Sequence, residues 1–177
     1  MKRSVLALVC LLGAAGSAAC SSKDAQSGAG PLTFVSAPLP GAGASVSLRR
    51  QEASVLFPDR VTVDVVARGA ADLHGAAFRL SWDPSALGFL EAKSGAPWSK
   101  QAIAMAKEGS PGELAIVWAE RGETGIDANR DTLLGTIVFE VRDRKGSAIA
   151  FKNERSQLVD RKGVRVEATW TGGQIAR

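Results

Sequence analysis

Hydrophobic and polar residues alternate with a period of two along most of this chain. Four runs carry apolar residues at every second position: Val61, Val63 and Val65; Phe78, Leu80 and Trp82; Ile137, Phe139 and Val141; and Val164, Val166, Ala168 and Trp170. Such alternation predicts β-strands with one buried face and one wet face. Turn residues separate the runs, as at Asp83-Pro84-Ser85. Many short strands without an amphipathic helix favour an all-β fold, an antiparallel β-sandwich or jelly roll.

Three shorter segments complete the pattern. Residues 114–119 and 147–152 are further candidate strands, whereas residues 99–107 fit either a short helix or a strand.

The first twenty residues resemble the signal of a bacterial lipoprotein. Lys2 and Arg3 precede an apolar stretch that is too short to span a bilayer, and small residues then lead to Cys20. We therefore predict a signal peptide at residues 1–19, lipidation of Cys20, and an exported protein anchored at the cell envelope by its acyl chains alone. An ordinary signal peptide with an incidental cysteine is the alternative. Small polar residues then predict a flexible tether over residues 20–43, followed by one domain over residues 44–177.

Composition excludes several classes of function. The chain has 22 Lys and Arg against 18 Asp and Glu. Removal of the signal peptide takes away Lys2 and Arg3, and the remaining charges are too balanced and interspersed to favour nucleic acid as a partner. The only cysteines are Cys10, inside the signal, and Cys20. The mature domain is therefore expected to have no disulfide, no thiolate metal site and no cysteine nucleophile.

Several segments resemble cohesin domains. The segments are residues 61–66, the run from Asp72 to Leu87 with its aromatic-Asp-Pro-x-x-Leu turn at Trp82, residues 134–141, and Gly172-Gly173-Gln174-Ile175. The resemblance runs in the same order from Ser45 to Ile175. It implies a jelly-roll sandwich of about nine strands, related to a group of carbohydrate-binding modules. It also implies a non-catalytic module that docks a protein partner, which in cellulosomes is an enzyme-borne dockerin.

Candidate catalytic residues are scarce. His74 is the only histidine, next to Gly75, and we interpret it as an exposed turn residue rather than a general base or metal ligand. Carboxylates are scattered over outward strand positions and loops, so the sequence favours no glycosidase pair. We expect a protein that is not an enzyme and has no cofactor.

One loop has a weak calcium pattern. Asp127, Asn129 and Asp131 place oxygen ligands at alternate positions, as calcium-binding loops do. However, Thr132 stands where the turn glycine of such a loop belongs, and Val138 stands where its bidentate Glu belongs. A loop that satisfies its own backbone is the favoured interpretation, and a calcium site is the alternative.

The positions of the tryptophans bear on a second possible function, sugar binding, because aromatic rings stack on sugars in carbohydrate-binding modules. Trp82, Trp118 and Trp170 fall on the buried phase of their strands and are expected in the core. Only Trp98 lies in a predicted loop, where an exposed ring could contact a glycan. Recognition of a polysaccharide is therefore kept as the alternative function.

A flat, weakly charged face is the favoured place for a protein partner. If Leu114, Ile116 and Trp118 point inward, the residues between them point outward, and the same reasoning applies to two neighbouring strands. In cohesins the corresponding strands form the partner-binding sheet. The predicted partner-binding residues are Ala77, Arg79, Ser81, Ala115, Val117, Ala148 and Ala150. Such small residues can be covered without desolvating many charges, although alanines under a covering loop would give the same pattern.

Overall fold

The computed structural model describes residues 32–39, 41–51 and 59–176. The predicted signal peptide, Cys20 and most of the predicted tether lie outside these residues. The described strands are, in chain order, β1 (Thr33–Ser36), β2 (Ala44–Arg50), β3 (Arg60–Arg68), β4 (Ala70–Ser81), β5 (Leu87–Ser94), β6 (Ile103–Glu108), β7 (Glu113–Ala119), β8 (Ile126–Ala128), β9 (Thr132–Val141), β10 (Ser147–Phe151), β11 (Gln157–Asp160), β12 (Arg165–Val166), β13 (Ala168–Thr171) and β14 (Gly173–Ala176). A single 3-10 turn, Asn153–Arg155, separates β10 from β11.

The strands form a sandwich of two sheets. The five-stranded sheet has the order β13-β2-β3-β9-β5, and the nine-stranded sheet is built around β4. One edge of β4 pairs with β7 and β8, while its other edge pairs with β10 and β11. Beyond these neighbours, β6 pairs with β7, and β10 continues through β14 to β1. The predicted all-β sandwich is confirmed, and the pairing is antiparallel except between β13 and β2.

More strands are present than the nine or so that the sequence predicts. In the described residues there are fourteen, and several, such as β8 and β12, are only 3 and 2 residues long. Strands this short have too few positions to show an alternating pattern.

The folded domain begins earlier than predicted. Strand β1 pairs with β14 over Thr33–Ser36, and its Phe34 is buried in the core. The prediction of a flexible tether up to residue 43 is therefore wrong for this strand. Its one buried side chain, between exposed or half-exposed neighbours, gives no period that could be recognised in the sequence.

Aromatic side chains join the two sheets. Phe78 of β4 lies edge-on to Trp118 of β7, with ring centroids 5.4 Å apart, and it also contacts Phe151 and Trp170. Trp170 lies on the five-stranded sheet, so this cluster spans the interior. Trp82 and Trp118 are buried and Trp170 is partly buried, as their strand phases predict. Edge-to-face aromatic pairs add about 0.5–1.5 kcal/mol to the free energy gained by burial.

Gly135 leaves the space that the Trp118 ring occupies. A Cβ atom at position 135 would lie 2.6 Å from Cζ2 of Trp118 and would also collide with the carbonyl oxygen of Lys93. The missing side chain on β9 therefore lets the largest residue of β7 pack between the sheets.

We predict that Gly135→Ala lowers the free energy of unfolding by about 1–3 kcal/mol, because the added methyl group overpacks the core. Gly122→Ala is the matched control, since a Cβ there has no atom within 4 Å. Urea denaturation of both variants measures the difference. Equal stabilities for the two variants would contradict the proposed packing constraint.

Asp64 provides a second test of the fold. Its Oδ1 is buried and has no hydrogen-bond partner among the described residues, and burial raises the pKa of this carboxyl group. The folded state therefore holds the proton of Asp64 up to a higher pH than the unfolded state. Above the raised pKa, the ionised carboxylate of Asp64 destabilises the folded state. This destabilisation disappears as the pH falls below about 3.8, the pKa of Asp64 in the unfolded chain.

We therefore expect Asp64→Asn to raise the free energy of unfolding at pH 7 and to leave it nearly unchanged near pH 3. Thermal denaturation across this pH range measures both effects. The control is Glu154→Gln, which removes an exposed carboxylate. A gain that stayed constant with pH would show that the ionisation of Asp64 is not its cause.

Candidate binding face

The seven predicted partner-binding residues lie on the solvent side of the nine-stranded sheet. Neighbouring strands place Ala77 opposite Val117, Arg79 opposite Ala115, and Ser81 opposite Ala150. Ala148 continues the surface along β10. The predicted alternation of β7 and β10 is confirmed, because residues 114, 116, 118, 149 and 151 are buried while those between them are at least partly exposed. We call the solvent side of β4, β6, β7, β10 and β11 the outer face.

Strand β6 widens the outer face beyond the predicted residues. Met105, opposite Val117, is 59 % exposed, and Lys107 lies opposite Ala115. All of β6 is at least partly exposed. This explains why the sequence does not distinguish a helix from a strand in residues 99–107: with no residue fully buried, β6 has no hydrophobic period.

An apolar pocket lies at one end of the outer face. It has a volume of about 320 Å³ and lies between β4, β7 and β11, and its apolar lining includes Ala77, Val117, Ala119 and Val159. The hollow forms because small residues of β4 and β7 lie side by side, with Gly75 opposite Ala119. We call this hollow the apolar pocket.

His74 also lines the apolar pocket, and its predicted place in an exposed turn is wrong. It lies within β4 next to an irregular register with β11, and it is only partly exposed. Its Nδ1 is buried without a hydrogen-bond partner in the described residues. Gly75 next to it suggests a turn, but pairing with β7 and β11 on both sides extends the strand through this point.

A three-residue ion cluster interrupts the small side chains of the outer face. Glu113 accepts hydrogen bonds from Nη1 of Arg79 at 2.9 Å and from Nζ of Lys152 at 2.8 Å. The Lys152 hydrogen bond, followed by that of Arg79, lowers the pKa of Glu113. Two cations and one carboxylate leave one positive charge in excess. The outer face is therefore more charged than the sequence predicts, because Glu113, Lys107 and Lys152 join Arg79 on it.

Trp98 does not offer a ring for sugar stacking. Only 6 % of it is exposed, and its Nε1 donates a hydrogen bond to the carbonyl oxygen of Leu134 at 2.7 Å. The prediction of an exposed loop tryptophan is therefore wrong. The segment after Gly95 folds against β9, where the indole packs against apolar side chains and donates its hydrogen bond.

The loop with the calcium pattern satisfies its own polar groups. Oδ1 of Asp127 accepts a hydrogen bond from the backbone N–H of Asn129, and Oδ2 of Asp131 accepts one from Arg49 at 2.6 Å. That hydrogen bond lowers the pKa of Asp131, and Arg68 lies 3.9 Å from the same carboxylate. This arrangement fits the favoured interpretation, since two guanidinium groups beside Asp131 would repel a calcium ion.

The described residues contain neither a cluster of metal-ligating side chains nor a helix that could span a membrane. Within them, no group of three or more His, Cys, Asp and Glu side chains could hold a metal ion. No helix in the described ranges is long and apolar enough to cross a membrane.

The sequence matches no protein-family model and no curated protein. Solved structures, in contrast, share its architecture. The sixth cohesin of scaffoldin B from Acetivibrio cellulolyticus, solved in complex with a dockerin, is 15% identical, with a TM-score of 0.64 over 76% of this chain and 99% of that one.

Two further structures are similar to the same degree. A cohesin from Clostridium thermocellum, solved in a type I cohesin-dockerin complex, is 19% identical and has a TM-score of 0.59 over 76% of this chain and 99% of that one. A non-cellulosomal cohesin from the archaeon Archaeoglobus fulgidus is 17% identical, with a TM-score of 0.59 over 77% of this chain and 93% of that one. The described domain therefore has the cohesin-like β-sandwich fold that its sequence resembles.

Proposed function

We propose that this chain is a non-catalytic docking module that binds a protein partner on its outer face. The observation that carries the proposal is the continuity of that face, where small side chains of β4, β7 and β10 adjoin an exposed Met105 on β6. A partner can cover such side chains with little loss of hydration, which favours a protein interface. Residues 44–177 contain one histidine and no cysteine, which supports a non-catalytic role.

A dockerin-like module is one candidate partner. The cohesins from Acetivibrio cellulolyticus and Clostridium thermocellum described above are each solved in complex with a dockerin. The archaeal cohesin of the same fold is described as non-cellulosomal. The fold supports a protein partner, and other proteins at the envelope are equally compatible with the outer face.

The structure removes the observation that favours a polysaccharide ligand. Trp98 is the only tryptophan that the sequence predicts on the surface, and it is buried. We therefore do not propose glycan binding as a second function.

We further propose that lipid on Cys20 holds the module at the cell envelope. The support is the sequence of the first twenty residues, in which a basic start, an apolar stretch and small residues precede the cysteine. Strand β1 begins only thirteen residues after Cys20, so the module would stay close to the membrane.

A photo-crosslinking residue tests the docking role in intact cells of the source organism. We expect a crosslinker in place of Met105 to form a discrete adduct with a partner protein, because this position is exposed at the edge of the outer face. Adding Val117→Asp should lower the adduct yield at least about tenfold, since a buried unpaired carboxylate costs a few kcal/mol. Val138→Asp is the matched control, a half-buried valine on the outside of the five-stranded sheet. No adduct, or equal yields in both variants, would contradict the proposal.

Metabolic labelling with a fatty acid tests the anchor. We expect Cys20→Ser to abolish the label and to release the chain from the membrane fraction, because the acylated thiol is removed. Cys10→Ser is the matched control and should keep both the label and the membrane location. A label that persisted in Cys20→Ser would rule out this site of lipidation.

A further inference from the structure

We propose that the partner of the outer face presents carboxylates around one large apolar side chain. The carboxylates would pair with Arg79 and Lys107, and the apolar side chain would fill the apolar pocket. This inference rests on the proposed docking function and specifies the chemistry of the partner.

The charges of the outer face favour an acidic partner. Around Glu113, the three cations Arg79, Lys107 and Lys152 face one carboxylate and leave two positive charges in excess. Asp160, which lines the apolar pocket, reduces this excess on the outer face to one. Two cations at the rim are already paired: Arg165 lies 3.4 Å from Glu167, and Arg161 lies 3.3 Å from Asp72. The excess positive charge beside Glu113 therefore comes from Arg79 on β4, Lys107 on β6 and Lys152, which follows β10.

Arg79 and Lys107 are well placed to receive carboxylates. Both lie opposite Ala115, one on each side of β7, so their strands are about 10 Å apart at a strand spacing of about 4.8 Å. The guanidinium group of Arg79 has five N–H donors, and one of them is hydrogen-bonded to Glu113. The other donors can bind a second acceptor. Lys107 forms no ion pair with any described residue. A neutral partner would bury the charge of Lys107 without compensation, and a basic partner would be repelled by both cations.

The apolar pocket lies beside these cations. The next pair along the strands, Ala77 and Val117, lines it, so a carboxylate bound at Arg79 and a side chain in the pocket can come from neighbouring residues of the partner. Apolar cavities of about 150 Å³ hold a benzene ring. At about 320 Å³, this pocket has room for a complete Leu, Phe or Trp side chain. A large apolar side chain in a well-packed pocket, surrounded by contacts that exclude water, is the usual arrangement of an interface hot spot.

A displayed library of a small three-helix scaffold, randomised on two helices, tests the inference. Library members that bind the full chain are selected first. Clones that no longer bind the Val117→Asp variant but still bind the Val138→Asp variant are then kept as outer-face binders. We expect these clones to be enriched in Asp and Glu over Lys and Arg relative to the unselected library. They should also share one large apolar residue.

Variants of the chain then locate the two contacts. Lys107→Glu should weaken the outer-face binders at least about tenfold, whereas Lys93→Glu, on the five-stranded sheet, should not. Ala119→Trp should fill the apolar pocket and weaken binding to a similar extent, and Ala119→Ser, which leaves the pocket open, should preserve it. Thermal denaturation of each variant confirms that it folds.

The outcomes separate the inference from the docking function. Outer-face binders of neutral or basic composition, or binders that tolerate both Lys107→Glu and Ala119→Trp, would overturn the inference and leave the docking role intact. If no selected clone were sensitive to Val117→Asp, the docking function itself would be contradicted, and the inference with it.

Discussion

The contact between Phe78 of β4 and Trp170 of β13 joins the two sheets of the sandwich. Phe78 contacts aromatic rings on β7, β10 and β13, so the central strand of one sheet is fixed against the edge of the other. Because side chains alternate along a strand, fixing Phe78 and Leu80 inward directs Ala77, Arg79 and Ser81 outward. The outer face therefore depends on the core for its position, although none of its members belongs to the core.

The same alternation explains which parts of the outer face the sequence could predict. In strands β7 and β10, large and small residues alternate strictly. The sequence alone therefore shows which residues of these strands are exposed. Pairing of β7 and β10 with β4 followed from the resemblance to cohesins. The fold class, the seven outward residues and the buried Trp82 and Trp118 were all accessible in this way.

Other features depend on contacts between residues that are distant in the sequence. Trp98 finds its acceptor at Leu134, and Phe34 is held by pairing with a strand near the other end of the chain. Strand β6 has no residue fully buried, so its role at the sheet edge leaves no trace in the hydrophobic pattern. Glu113 and Arg79 lie on two strands and Lys152 directly follows a third, so their cluster forms only when β10 lies beside β4. Local sequence patterns carry no information of this kind.

The contact between Gly135 of β9 and Trp118 of β7 limits which residues the two positions can hold during evolution. Trp118 lies between Val117 and Ala119, which both line the apolar pocket, and its ring occupies the volume that a side chain at position 135 would need. A side chain at position 135 therefore requires both a smaller residue at position 118 and a shift of the backbone at Lys93. The end of β7 would then pack differently, and the shape of the outer face would change with it. A substitution on the five-stranded sheet can thus change the shape of the opposite surface, where we propose that a partner docks.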